Sequence, residues 1–73
     1  MKEKLIAFIE QRLRYADLLD TTSGKRSMMD QCFGAIVFTC DLLASENKIE
    51  EELEITRLWN EVYKPMFEEK IYG

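Results

Sequence analysis

A chain of 73 residues has room for one domain, spanning 1–73, and a chain this short buries only about 60% of the surface its unfolded form exposes. Its two cysteines and its lack of any histidine argue against a Cys/His zinc site and a disulfide framework as stabilisers, which leaves helix packing or oligomerisation. The net charge is −4 and Lys25-Arg26 is the only adjacent basic pair, so neither nucleic acid nor an anionic membrane is expected as partner, since phosphate binding needs a basic stripe.

The first helix is predicted over about residues 2–19. At about 100° per residue, Leu5, Phe8, Ile9, Leu13, Ala16 and Leu19 share a face, with Ile6 and Tyr15 at its edges. Glu3, Glu10, Arg14 and Asp17 lie opposite, Glu10 and Arg14 at the spacing of a helical ion pair. Arg12 falls inside the apolar arc. It either snorkels along the bundle edge, pairs with Asp30 or Asp41 of the next helix, or lines a small ligand site. Glu10, Gln11 and Arg12 interrupt any signal-peptide core, so a reducing, cytoplasmic location is expected.

Asp20 to Ser27 is rich in turn formers and is expected to connect the first two helices. A phosphate-binding loop is excluded there, because Arg26 stands where Ser or Thr is required and Leu19 where a glycine is. A weaker possibility is that Gly24, Lys25, Arg26 and the first amides of the second helix hold an anion.

The second helix is predicted over about 27–45, with Ser27 as N-cap and Asp30 as its acidic capping partner. Met28, Met29, Cys32, Phe33, Ile36, Val37, Cys40, Leu42, Leu43 and Ala44 make a wide apolar arc, which marks a helix contacted from several sides. Asp30, Gly34, Asp41 and Ser45 form the remaining strip, with Phe38 at its edge. The apolar stretch Phe33 to Leu43 is shorter than the roughly 20 residues needed to span a bilayer. Cys32 and Cys40 sit about 12 Å apart along the helix, too far to bridge, and read as buried core residues.

Asn47 is the expected left-handed residue that ends this helix. The third helix is predicted over about 49–67, its arc made of Ile49, Leu53, Ile55, Leu58, Trp59, Val62, Tyr63, Met66 and Phe67. The acidic run Glu50 to Glu54 suits the helix start and reads as a solvated face. Pro65 predicts a kink or a break, with Met66 to Tyr72 as a short last turn.

These elements predict an all-α, three-helix antiparallel bundle. An isolated bundle hides a stripe somewhat over 100° wide on each helix, whereas the second and third helices are apolar over about 200°. The surplus is assigned to a candidate interface of Phe38, Leu42, Leu58, Trp59, Val62 and Met66, covered in a homodimer. With no His to act as base and no metal or cofactor motif, a non-enzymatic interaction or regulatory module is expected, self-associating or binding a protein through apolar helix faces. A helical DNA-binding regulator is a weaker reading, because no helix has a basic face and the first connection is long for a helix-turn-helix. An enzyme or small-ligand binder around Arg12, Asp41 and Tyr63 is weaker still, as is an anion-binding protein using the loop at Gly24.

Overall fold

The computed structural model describes all 73 residues, and the chain is all-α with no strand. Helix α1 spans Lys2–Asp17 and α2 spans Thr22–Ser45. The third segment comprises α3 (Ile49–Leu58), a π-turn (Trp59–Tyr63) and α4 (Lys64–Tyr72).

Helix α1 buries Leu5, Ile9, Leu13 and Ala16, the face its periodicity defines. It stops at Asp17, two residues earlier than expected, where the Lys25 ammonium donates to the Ala16 carbonyl at 3.1 Å. A cation on these last carbonyls offsets the negative end of the helix dipole. Glu10 and Arg14 form no ion pair; the ion pairs are Lys2–Glu54, Lys48–Glu46 and Lys70–Asp17.

Helix α2 begins at Thr22 rather than Ser27. The N-cap is Thr21, in extended conformation, whose Oγ1 accepts the Gly24 N–H at 3.0 Å. A Cβ on Gly24 would stand 3.0 Å from that oxygen and 3.3 Å from Leu19 Cδ1, so glycine serves close packing here rather than a turn. Ser27 and Asp30 are exposed inside the helix and form no capping box. At the other end Asn47 adopts φ 59° as expected. The Lys48 N–H reaches the Leu43 carbonyl at 2.8 Å and the Asn47 N–H reaches Ala44 at 3.1 Å, the two bonds of a Schellman cap.

Every other helix touches α2, and α1 also meets α4. Cys32, Ile36, Thr39 and Leu43 of α2 are buried, and the core is completed by Ile55, Trp59 and Phe67. Trp59 stacks at a tilt on Phe67, ring centroids 6.0 Å apart, and on Phe33 at 6.5 Å.

In the third segment the core residues recur every fourth position: Ile55, Trp59, Tyr63, Phe67 and Ile71 are all buried or half-buried. An α-helix turns about 400° in four residues, so such a ladder drifts about 40° per step off its face. A π-turn absorbs one extra residue and returns the lower half to the face of the upper half. A second ladder, Glu54, Leu58, Val62, Met66 and Lys70, is tied to α1 at both ends, by Lys2 and by Asp17. The third segment therefore fits one more residue between its ties than α1 does, and the π-turn takes it up.

The irregularity expected at Pro65 takes the form of the π-turn just before it and not of a break at the proline, and α4 continues through it to Tyr72. In an unbroken α-helix the Pro65 ring would crowd the Glu61 carbonyl. The π-turn just upstream widens the backbone, its Lys64 N–H bonding to the Trp59 carbonyl, and places Pro65 in the first turn of α4, where a missing N–H is tolerated.

Candidate docking face on helix α2

With Cys32, Ile36, Thr39 and Leu43 turned inward, the opposite side of α2 presents Gly34 and Asp41. Phe33 and Val37 form one shoulder of this outer face and Phe38 and Leu42 the other. All four are exposed, at 54%, 43%, 66% and 37%. Taking about 200 Å² for a whole aromatic side chain, roughly 350 Å² of apolar surface lies open on one helix.

The first shoulder borders the third segment. A cleft of about 270 Å³ opens there, lined by Phe33, Val37, Cys40, Thr56 and Trp59 among others. Cys40 Sγ lies 3.7 Å from Thr56 Oγ1 and 4.0 Å from the Glu52 carbonyl oxygen. The second shoulder borders α1, because Gln31, two turns before Phe38 on the same strip, accepts the Arg12 Nε–H at 2.9 Å. By length and composition α2 is also the one helix able to cross a bilayer, and 22% of that stretch is buried. Beyond Arg26 its only charges are Asp30 and Asp41.

The six residues expected at an interface do not form one surface. Phe38 and Leu42 lie on the outer face of α2. Trp59 is 4% exposed and belongs to the core. Leu58 is half-buried, and Val62 and Met66 are exposed on the ladder between the two ties to α1, away from the outer face of α2. Helical projection reads Trp59 correctly as apolar but cannot say that the core takes it. Phe33 and Val37, placed in the core arc by the sequence, are instead half outside.

Arg12 is half-buried and pairs with neither Asp30 nor Asp41, both of which are exposed and without a cation. Those carboxylates project from the outer face, whereas Gln31 faces α1. The guanidinium lies 4.5 Å from the centroid of Phe8 and 5.6 Å from that of Tyr15, and also donates to Gln11 at 3.2 Å. Tyr63 is half-buried on the third segment and is not among the groups that hold Arg12. The groups that could hold an anion there are engaged within the chain: Lys25 caps α1, Arg26 lies 5.5 Å over the Tyr72 ring, and the Gly24 amide serves Thr21.

Cys32 is fully buried, and desolvation pushes its thiol up to about 11 from an ordinary 9.0, against a smaller opposing effect of the Arg12 charge. It is a core residue without nucleophilic character. Compared with protein-family models, with curated proteins and with solved structures, the chain matches none.

Proposed function

We propose that the chain is a three-helix antiparallel bundle acting as a non-enzymatic interaction or regulatory module, and that it self-associates through the outer face of α2. The observation behind this reading is the set of four exposed apolar side chains, Phe33, Val37, Phe38 and Leu42, on one helix. At about 25 cal/mol per Å², covering roughly 350 Å² is worth on the order of 5–10 kcal/mol before association costs. The total stability of a small domain is comparable. A two-fold pair is the simplest arrangement that removes such a face from water. Asp30 and Asp41 on the same face disfavour DNA as an alternative occupant.

Size-exclusion chromatography with light scattering, over a protein concentration series, tests the proposal. The expected mass is twice 8.6 kDa, falling to 8.6 kDa on dilution and in Phe38→Glu. A mass of 8.6 kDa at every concentration rejects self-association. Co-flotation of that monomer with neutral lipid vesicles would then assign the face to a membrane.

A further inference from the structure

Gly34 stands in the middle of the outer face, and nothing inside the protomer accounts for it. A glycine inside a helix is less stable than alanine there, because it gives up more backbone freedom on folding. Gly24 has a reason to be glycine in Thr21 and Leu19, but a Cβ on Gly34 would meet nothing within 4 Å. Its φ is not positive either, so backbone conformation does not demand glycine.

We infer that α2 of a second copy packs across α2 at Gly34, the partner's Phe38 occupying the space that a side chain there would fill. This rests on the self-association proposed above and adds its contact point. Two observations favour a second copy as the occupant. The first is area. A standard interface buries about 800 Å² per partner, of which about 60% is apolar, and the roughly 350 Å² of the four side chains supplies most of that share. The second is shape. The face carries both a protrusion and a notch one helical turn apart, in Phe38, 66% exposed, and Gly34. A two-fold axis midway between them seats each Phe38 against the partner's Gly34, which is the self-complementarity an isologous contact requires.

Charge gives the pair a signature. Asp30 and Asp41 have no cation in the protomer, and the two-fold brings a second set of carboxylates to the same contact. Repulsion between like charges is screened by salt, so added salt tightens this pair. A basic helix docked on the same face would be released by salt.

Sedimentation equilibrium of the full chain, Gly34→Ala and Gly34→Leu tests the inference, with each protein run in low and high salt. Gly34→Ala is expected to raise the dimer dissociation constant at least tenfold and Gly34→Leu to leave only monomer. In the monomeric Phe38→Glu background, Gly34→Ala is expected to raise Tm by about 4–8 °C, which would show that the substitution harms association and not folding. A wild-type dimer that Gly34→Ala leaves unchanged or tightens would overturn the contact at Gly34 while self-association stands. A wild-type chain that never dimerises overturns both. Dimerisation weakened by salt overturns the two-fold placement.

Discussion

Arg12 is conspicuous in the sequence because a guanidinium interrupts an apolar arc, but the sequence offers several partners and the structure selects aromatic faces and amides. The distinction has a measurable size. Removing one member of a buried ion pair costs about 3–5 kcal/mol, whereas two partly exposed cation–π contacts are worth about 0.5–1 kcal/mol each. Arg12→Ala is therefore expected to lose about 1–2 kcal/mol in urea unfolding, and Arg12→Lys to recover only part of it. A loss of 4 kcal/mol would mean that a carboxylate pairs with Arg12 after all. Cys32, twenty positions on, contributes through its burial. Folding favours the protonated thiol, so its contribution is complete below pH 9.0 and is lost as pH rises towards about 11. The wild-type protein is expected to lose more stability between pH 8.5 and 10.5 than Cys32→Ala does. Parallel losses would show that Cys32 remains ionisable in the fold.

Two features of the elements depart from the sequence expectation for different reasons. The start of α2 is ambiguous because Thr21, Thr22, Ser23 and Ser27 are all competent N-caps, and the choice falls to the one whose hydroxyl meets the Gly24 amide. Thr21→Ala is expected to cost about 1 kcal/mol and Ser27→Ala to be neutral within about 0.5 kcal/mol, both read by urea unfolding. The reverse order would restore the helix start at Ser27. The π-turn, by contrast, is legible in the spacing of the apolar residues. A uniform 100° projection merges Ile55, Trp59, Tyr63, Phe67 and Ile71 into one broad arc, although spacing by fours is too long for a straight α-helix. Deleting exposed Asn60 should convert the π-turn to α and leave both ladders on their faces, provided Pro65→Ala removes the ring that needs the wider turn. That double variant is expected to unfold cooperatively within about 1 kcal/mol of Pro65→Ala. Deleting Asp41 in α2 rotates Leu43 about 100° off the core and should abolish cooperative unfolding. If the Asn60 deletion is equally destructive, the extra residue does more than keep register.

At the scale of the molecule, periodicity delivers the helical class and most of the core, because burial follows faces that sequence spacing defines. Which flank of a helix meets a neighbour is set by the packing of all the elements together. For that reason the exposed apolar residues fall both on α2, as Phe33, Val37, Phe38 and Leu42, and along the third segment, as Ile49, Leu53, Val62 and Met66. The resulting body is a rod of 41 × 17 × 17 Å with a radius of gyration of 12.6 Å, against about 11 Å for a compact chain of this length. A face that lies along the rod's flank restricts how two copies meet. Pairing through α2 lays the rods alongside one another, so the dimer grows in width while its greatest dimension stays near that of one protomer. Two such bodies set one rod width apart have a radius of gyration of about 15 Å. Small-angle X-ray scattering of the dimer is expected to give that value, with a maximum dimension only slightly beyond 41 Å. A maximum dimension approaching twice the protomer's length would mean contact through the rod ends, where Met1, Leu18, Ile49 and Tyr72 are exposed, and would move the interface away from α2.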